Sequence, residues 1–536
     1  MKLLNVIMTL GIWIQPITLL VIVGYLMKSN QSYIEDPNNW PVIILLSFVP
    51  ALIIWADSIG KPKKDIAILG RAQAKYPPIP KQLSFKKPEG FCFGKDKKSG
   101  RYVCKPLSED GHIMIIGGSG TGKSSTLIIP TLMANKSTGS IVLDIKGELS
   151  AKSVDISDEN VMIFNPADRS SYGYDPLYML KDGCTSQEIM ETMQTIAFSL
   201  IQISADLKDP FWKNCSRSLL IGLMTFYYKQ GSKDYISIID KILSRPIKES
   251  IEEALEMSSP QSVEYRYLIQ FKDMADETLG GIIAEMNNHI MIFSTDQDIR
   301  FALKENPLKL SPADIEKYVT NRFGENTGNK IFIAIKEEKL TAYYDVLILI
   351  INQFLNQLEH RSENSKDILF ILDELPRTLS AGKIDRLLDA ARTLRSRRCH
   401  MVYITQSLEA LQTSYSDAEV TDLLSNCAYT ICLGASSVKT IEAISKWAGR
   451  FLARKQSWSG STSGAKANVS FDEQDIVRAS DLMTLNLTGE AILISPYGYS
   501  RILKTPYYKD RIFKSIAQEI HEKNESILDI KRKESE

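Results

Sequence analysis

The sequence predicts an α/β protein with a parallel sheet, a phosphate-binding loop and a large helical insertion. Short apolar runs rich in β-branched residues alternate with helical patterns along the chain beyond residue 110, an alternation typical of parallel α/β sheets. A glycine-rich loop, "GGSGTGKSS", directly follows the first of these runs. The interval 183–298 carries helical patterns and almost no strand signal, which indicates an all-helical domain inserted into the α/β domain.

The predicted strands are near-continuous apolar runs rather than alternating ones. That pattern is typical of strands buried on both faces of a parallel sheet. Between two of them, residues 343–359 show a helical pattern, "YYDVLILIINQFLNQLE". The predicted strands are residues 112–117, 140–145, 161–165, 331–335, 367–374, 400–407, 428–434 and 490–495.

Length and composition limit the class of protein. A chain of 536 residues is too long for one ordinary domain, so two or three are expected. The 64 basic residues balance the 64 acidic ones, so any basic surface for nucleic acid must be local. The seven cysteines form no C-x-x-C pair and the five histidines are scattered. A zinc site is therefore not expected, and the cysteines are interpreted as reduced core residues of a cytoplasmic domain.

The first sixty residues are predicted to form a membrane anchor. Residues 3–27 carry no charge and are long enough to cross a hydrocarbon core of about 30 Å. A second apolar run, residues 40–56, follows closely, which argues against a cleaved signal peptide and for a transmembrane hairpin over residues 1–60. Lysines cluster just after the second run. By the positive-inside rule both termini are then cytoplasmic, in a multi-pass protein with most of its chain in the cytoplasm.

The remaining chain is divided around the helical insertion. Residues 61–182 and 299–514 are predicted to form the two parts of the nucleotide-binding domain, and residues 183–298 the inserted all-α domain. Residues 457–470 are small and polar, which predicts a mobile loop. The charged tail, residues 515–536, is interpreted as a solvated helix or frayed end.

The glycine-rich loop fits the phosphate-loop motif G-x-x-x-x-G-K-[ST] and lies between a predicted strand and a predicted helix. Glycines let backbone N–H groups wrap phosphates, and the following helix N-terminus adds positive potential. Lys123 is expected to reach the β- and γ-phosphates of ATP, and Ser124 to coordinate Mg²⁺. The predicted nucleotide-binding residues are Gly117, Gly118, Ser119, Gly120, Thr121, Gly122, Lys123, Ser124 and Ser125.

Acidic residues end two of the predicted strands. In "DILFILDE", Asp373 is predicted to hold Mg²⁺ and Glu374 to polarise the attacking water. Asp144, at the end of "SIVLDI", is a rival for the metal role, with a helix or turn cap as an open alternative. The adjacent pair is preferred because one carboxylate can bind the metal and the other can act as the base. Such a pair favours an ATP-hydrolysing enzyme over a nucleotide-dependent switch.

A glutamine and an arginine cluster complete the candidate site. Gln406 ends the strand "HMVYITQS" and is interpreted as a sensor of the γ-phosphate, a surface glutamine being the alternative. The cluster precedes that strand and leaves three interpretations open. It supplies an arginine finger to a neighbouring subunit, grips a phosphate backbone, or is a solvated helix end. Its members are Arg392, Arg395, Arg397 and Arg398.

With these motifs in view, nearly the whole chain resembles the type IV coupling proteins, the TraG/TraD-type ATPases of conjugation and type IV secretion. The phosphate loop and the acidic and glutamine strands are shared with many motor ATPases. More specific are "LDIKGEL", "DPFWKNCSRSLLIGLM", the helical insertion and the membrane hairpin. This sequence has Gly118 and Ser119 where the family more commonly has proline and threonine. Little effect is expected, since backbone donors bind the phosphates there.

The resemblance implies a RecA-like nucleotide-binding domain with an inserted all-α domain, assembled as a homo-hexamer at the bacterial inner membrane. It implies DNA-stimulated ATP hydrolysis with Mg²⁺, DNA translocation, and partners among relaxase or relaxosome proteins and inner-membrane components of the secretion channel. Lys123, Ser124, Asp373, Glu374 and Gln406 fall on the family's nucleotide-site positions. Arg395 best matches the arginine finger among its neighbours. No extended C-terminal recognition domain is expected.

Three other functions remain open at the level of sequence. The first is a coupling ATPase that transports only protein effectors and no DNA. A nucleotide-gated membrane scaffold uses nucleotide only to assemble. A chromosome-partitioning translocase moves DNA for segregation instead of transfer.

Overall fold

The computed structural model describes residues 23, 36–47, 77–203, 207–320, 326–380, 382–461 and 464–535. The chain divides into two compact units. The larger unit comprises residues 76–450 and 475–536, and it holds the main sheet and most of the helices. The described part of the smaller unit comprises residues 23, 36–47, 451–461 and 464–474.

The strands, in chain order, are β1 Ser84–Phe85, β2 Phe91–Lys95, β3 Tyr102–Lys105, β4 Ile113–Gly117, β5 Gly139–Leu143, β6 Val161–Phe164, β7 Gly173–Tyr174, β8 Lys309–Leu310, β9 Tyr318–Thr320, β10 Asn326–Gly328, β11 Lys330–Ile333, β12 Ile368–Leu372, β13 Cys399–Thr405, β14 Tyr429–Gly434, β15 Arg450–Ser461, β16 Gly464–Asp475, β17 Glu490–Ser495 and β18 Gly498–Leu503.

The α-helices, in chain order, are α1 Trp40–Ser47, α2 Ile129–Ala134, α3 Glu148–Ser153, α4 Ser186–Leu200, α5 Phe211–Lys229, α6 Tyr235–Leu243, α7 Ile247–Met257, α8 Val263–Leu268, α9 Asp276–Thr295, α10 Gln297–Arg300, α11 Tyr344–Glu359, α12 Leu375–Ser380, α13 Arg386–Thr393, α14 Leu408–Gln412, α15 Asp417–Ser425, α16 Val438–Ala448, α17 Ala479–Thr488 and α18 Arg511–Ser535.

A mixed sheet forms the centre of the larger unit. Its strand order is β1-β3-β2-β18-β17-β14-β4-β13-β12-β5-β11-β6. Neighbouring strands from β14 to β6 pair in parallel, whereas those from β14 back to β1 pair antiparallel. The predicted α/β class is confirmed, and each of the eight predicted strands is a strand of this sheet.

The expectation of a purely parallel sheet is wrong for residues 490–495, which form β17. Only Gly489 separates α17 from β17, and α17 lies at the carboxyl edge of β14, where Ala435 N donates to Leu482 O. The chain therefore runs back from that edge, antiparallel to β14. The two-residue connection to β18 then makes a hairpin, a geometry that joins only antiparallel strands.

Both faces of the sheet are buried in apolar clusters. Along β4, Met114 and Ile116 belong to one cluster, while Ile113 and Ile115 belong to the other, as the two-residue period of a strand requires. The first cluster also contains the inward-facing residues of α4, α5 and α9, so the helical segment shares its apolar core with the sheet. The second cluster contains Phe513 of α18.

Two polar segments differ from their sequence-based expectation. Residues 457–461 and 464–470 of the predicted mobile loop instead lie within β15 and β16, which pair as a two-stranded sheet. Strand pairing uses backbone N–H and C=O groups, so a run of small polar side chains does not predict it. The predicted solvated tail is part of α18, in which Phe513, Ile520 and Asn524 are 2%, 8% and 4% exposed. Up to residue 526, the helix therefore has one buried face, and Phe513 and Ile520 on that face belong to an apolar cluster of the sheet.

The predicted membrane hairpin falls largely outside the described residues. Of the first apolar run, 3–27, only residue 23 is described, and of the second, 40–56, the first eight residues form α1. Among the helices in the described ranges, none is both long and apolar enough to cross a membrane.

Candidate functional site

Four chain turns meet at the carboxyl edge of the sheet. They follow β4, β13, β12 and β5, which are consecutive neighbours in the strand order. The turn after β4 is the glycine-rich loop, and the turn after β13 carries Gln406. Asp373 and Glu374 follow β12, and Asp144 begins the turn after β5. Ligands of parallel α/β sheets bind at this edge.

Glycine conformations shape the phosphate loop. Gly120 and Gly122 have φ of +73° and +90°, values that glycine adopts without steric cost. Ser119 and Gly120 form the exposed tip, whereas Thr121 is buried and donates its hydroxyl to Gly118 O at 2.8 Å. A π-helical turn, Ser124–Ile128, follows the loop and continues into α2. The loop thus leads directly into a helix N-terminus, which favours an anionic ligand.

Lys123 is folded back into its own loop. Its side chain is 7% exposed, and its Nζ donates to Gly117 O at 2.8 Å and to Gly118 O at 3.2 Å. The same nitrogen lies 3.7 Å from Glu374 Oε1. Burial lowers the pKa of Lys123, and the neighbouring carboxylates of Glu374 and Asp373 oppose that shift. The ammonium therefore already lies beside the turn that carries the predicted water-activating residue.

The Glu374 carboxylate is held by groups from three different turns. Its Oε2 accepts a hydrogen bond from Gln406 Nε2 at 3.2 Å, and its Oε1 lies 3.4 Å from Lys146 Nζ. The residue has φ of +50°, a left-handed conformation that costs about 1–3 kcal/mol outside glycine. Burial alone would raise the pKa of Glu374, but Lys123, Gln406 and Lys146 outweigh it and hold the pKa below its usual range. The carboxylate is therefore ionised at neutral pH.

Asp373 is buried next to Glu374, and its Oδ1 accepts the backbone N–H of Glu374 at 3.1 Å. It is 3% exposed, and burial, followed by the charges of Glu374 and Asp144, raises its pKa to about 6. A buried carboxylate destabilised by like charges suits a divalent cation, which would relieve both effects. The hydroxyl oxygen of Ser124 and the carboxylate of Asp373 are oxygen donors of the kind that Mg²⁺ prefers, so these two residues could hold it.

Asp144, the rival acid, caps a helix. Its carboxylate accepts backbone N–H groups of Glu148 at 3.1 Å, Leu149 at 2.9 Å and Ser150 at 3.1 Å. These are orphan donors at the start of α3, so the side chain fixes that N-terminus and the turn before it. Burial raises the pKa of Asp144, and the three backbone hydrogen bonds oppose that shift.

The arginine cluster lies at the opposite edge of the sheet. It precedes β13, a strand of seven residues, so Arg395 is separated from its own chain's phosphate loop by about 20 Å. Arg392 pairs with Asp422 at 2.9 Å, Arg398 pairs with Asp367 at 2.8 Å, and Arg397 donates to Arg361 O at 3.0 Å. Arg395 is exposed, and within the described ranges its guanidinium donates no hydrogen bond and forms no ion pair.

Two lysines in the site were missed by sequence reasoning. Lys146 belongs to the "LDIKGEL" segment, so its place directly after β5 was the available signal. Lys504 gave no local signal, because it follows β18 and reaches the loop from 383 residues away. Its Nζ donates to Thr121 O and Leu433 O, both at 3.3 Å, and to Asn486 Oδ1 at 3.1 Å. It fastens the phosphate loop to the neighbouring strand.

This fold and this site define a P-loop nucleotide-binding protein. Residues 63–529 match the family model described as type IV secretory system conjugative DNA transfer. Because the match spans most of the chain, the protein belongs to that family.

Curated relatives include the protein VirD4 of Rhizobium radiobacter, 23% identical over 449 residues, with 80% of this chain and 62% of the relative covered. VirD4 of Rhizobium rhizogenes is 22% identical over 448 residues, with 80% of this chain and 63% of the relative covered. The chain thus spans less than two thirds of the length of these relatives.

Solved structures share the fold. The bacterial conjugative coupling protein TrwBdeltaN70 in an unbound form has a TM-score of 0.54 at 15% identity, covering 74% of this chain and 85% of that one. TrwB in complex with the ATP analogue ADPNP has a TM-score of 0.55 at 15% identity, covering 75% and 87%. TrwB in complex with ADP and Mg²⁺ has a TM-score of 0.54 at 14% identity, covering 74% and 85%.

Proposed function

We propose that this protein is an ATP-hydrolysing coupling protein that moves DNA into a type IV secretion channel. The observation that carries the proposal is the meeting of Lys123, Asp373, Glu374 and Gln406 at one edge of the sheet. Membership of the conjugative DNA transfer family supplies the transport task. The TrwB complexes with ADPNP and with ADP and Mg²⁺ support ATP and Mg²⁺ as the ligands here.

The residues divide the work of hydrolysis. Loop N–H groups from Gly117 to Ser125 bind the phosphates, and Lys123 exchanges its carbonyl partners for the β- and γ-phosphate oxygens. The ionised Glu374 accepts a proton from the attacking water, a contribution typically worth about 10²–10⁴-fold in rate. Gln406 already donates to that carboxylate and orients the water between it and the γ-phosphate. Ser124 and Asp373 would hold Mg²⁺, which would supply positive charge beside the phosphates when bound.

Coupling between subunits is assigned to Arg395. Its exposed guanidinium lies far from its own phosphate loop, so it can complete only a neighbour's site. Its three neighbours in the cluster are held within the chain, which favours Arg395 over them for this role. A ring, as a homo-hexamer, brings the arginine edge of one subunit to the phosphate edge of the next, and hydrolysis is then coordinated around the ring.

Membership of the conjugative DNA transfer family supports the following proposal for cargo and location. DNA is held largely through its phosphates and without sequence preference. Relaxase or relaxosome proteins deliver it, and inner-membrane components of the secretion channel receive it. The apolar runs 3–27 and 40–56 anchor the chain in the bacterial inner membrane by two helices, with the rest in the cytoplasm. Residues 61–182 and 299–514 form the nucleotide-binding domain around the helical insertion at 183–298.

The test is ATP hydrolysis by the full chain in lipid nanodiscs with Mg²⁺, with and without DNA. We expect DNA to stimulate hydrolysis and rising salt to reduce that stimulation. Binding to DNA phosphates releases counterions, so the affinity for DNA falls as salt rises. Lys123→Ala abolishes hydrolysis, while Lys152→Ala, which removes an exposed lysine paired with Glu148, leaves it unchanged. Hydrolysis without any DNA response refutes DNA pumping and favours a protein cargo. Nucleotide binding without hydrolysis refutes the motor and favours a scaffold.

A further inference from the structure

Lys146 is a second lysine at the nucleotide site, and the proposed hydrolysis steps do not use it. It lies on the turn that follows β5, next to the turn that carries Glu374 after β12. Strands β5 and β12 pair in parallel with Leu143 opposite Leu372, so the two turns leave the sheet side by side. The Nζ of Lys146 lies 3.4 Å from Glu374 Oε1, the same oxygen that Lys123 approaches at 3.7 Å.

The backbone around Lys146 is fixed. Gly147 has φ of +65° and its N–H donates to Asp144 O at 3.2 Å, which closes a tight turn. The side chain of Asp144 holds the start of α3 on the other side of that turn. Lys146 is thus presented from a rigid support, although its own side chain is 44% exposed.

Nucleotide binding changes which lysine holds Glu374. Lys123 now shares the Glu374 oxygen, but a phosphate-loop lysine moves to the β- and γ-phosphates when nucleotide binds. The Oε1 atom then keeps Lys146 as its cationic partner, while Gln406 keeps Oε2. The direction of the Glu374 carboxylate then depends on these two side-chain contacts.

We infer that Lys146 is the positioning residue that aims the Glu374 carboxylate at the attacking water once Lys123 has turned to the phosphates. It acts through Glu374 and not on the substrate. The inference rests on the proposed ATP hydrolysis. Loss of Lys146 then lowers kcat while nucleotide affinity stays the same.

The experiment compares Lys146→Ala, Lys146→Arg and Lys152→Ala in the full chain in nanodiscs. Lys152 is 45% exposed against 44% for Lys146 and pairs with Glu148 on the surface, so it is a matched control. We expect kcat of Lys146→Ala to fall by about tenfold or more, within the range typical of a misaligned general base. The Kd for a fluorescent ATP analogue stays within about twofold, Lys146→Arg restores most of kcat because it keeps the charge, and Lys152→Ala matches the wild type.

A double-mutant cycle with Glu374→Gln supplies a readout that a merely structural role would not move. If Lys146 acts through Glu374, adding Lys146→Ala to Glu374→Gln causes no further loss in single-turnover hydrolysis. An unchanged kcat in Lys146→Ala, a loss of affinity that accounts for the whole effect, or additive losses in the double variant overturn the inference and leave the proposed function intact. A wild-type chain that binds ATP without hydrolysing it refutes the proposed function itself.

Discussion

Replacement of Asp144 by asparagine separates the two acids that compete for the metal role. The Asp144 carboxylate accepts two backbone N–H groups on Oδ2, from Leu149 at 2.9 Å and Ser150 at 3.1 Å, and one on Oδ1, from Glu148 at 3.1 Å. An asparagine side chain keeps only one accepting oxygen. Its best placement satisfies the two donors at Oδ2 and turns the amide NH₂ toward the N–H of Glu148.

The magnitude follows from that lost acceptor. A hydrogen bond to a charged group contributes about 1.5–3 kcal/mol, and removal of a buried charge offsets part of the loss. The expected net destabilisation of the α3 N-terminus is about 2 kcal/mol. Since 1.36 kcal/mol corresponds to a factor of ten, amide hydrogens of the first turn of α3 should exchange about 30-fold faster.

The assay is hydrogen exchange by mass spectrometry on peptides covering residues 144–153 of the full chain, together with ATP hydrolysis. Asp144→Asn should speed exchange there and keep hydrolysis within about tenfold of wild type, whereas Asp373→Asn should lower hydrolysis by about 10²-fold or more. Unchanged exchange in Asp144→Asn refutes the capping argument. Hydrolysis lost as completely as in Asp373→Asn shows that Asp144 is the metal-binding acid.

Three further perturbations probe the base, the C-terminal helix and the core. Glu374→Gln should lower kcat by about 10²–10⁴-fold with ATP affinity retained, measured by single turnover and by equilibrium binding. Asn524→Ala removes three hydrogen bonds to backbone groups of residues 151–156 and should weaken the docking of α18 by about 2–4 kcal/mol in hydrogen exchange, with the exposed Glu522→Ala as control. Burial lowers the pKa of His112 to about 3, so the folded state binds its proton less readily than the unfolded state. The stability that neutral His112 gives the folded state is then lost as pH falls from about 6.5 to about 3. Between pH 7 and pH 4.5, the urea midpoint of His112→Gln should therefore fall less than that of the wild type.

Sequence patterns located the parallel core of the sheet because its strands are buried on both faces. Runs such as "DILFILDE" and "HMVYITQS" leave little choice of structure, and polar residues at their ends mark the edge where ligands bind. Of the antiparallel extension, only β17 was predicted as a strand, and its direction was wrong. Strands β1, β2, β3 and β18 were missed because their pairing is set by tertiary neighbours instead of a local pattern.

The sequence motifs likewise identified only part of the candidate site. Lys123, Asp373, Glu374 and Gln406 were named from the motifs in which they lie, and the structure brings their side chains to one edge of the sheet; their catalytic roles remain predictions. The sequence did not decide whether the Asp144 carboxylate caps a helix or binds a metal ion. Lys504 contacts the loop only because the sheet folds β18 near it.

The measurement that tests the account most directly is DNA transfer from donor cells in which this chain is the only coupling protein. If ATP hydrolysis at the phosphate loop drives transport, Lys123→Ala should abolish transfer. The variant protein should reach wild-type levels in the membrane fraction, and Lys152→Ala should transfer DNA normally. If Lys123→Ala transferred DNA at the wild-type frequency, at equal protein levels, this result would contradict the claim that ATP hydrolysis at this site drives the movement of DNA.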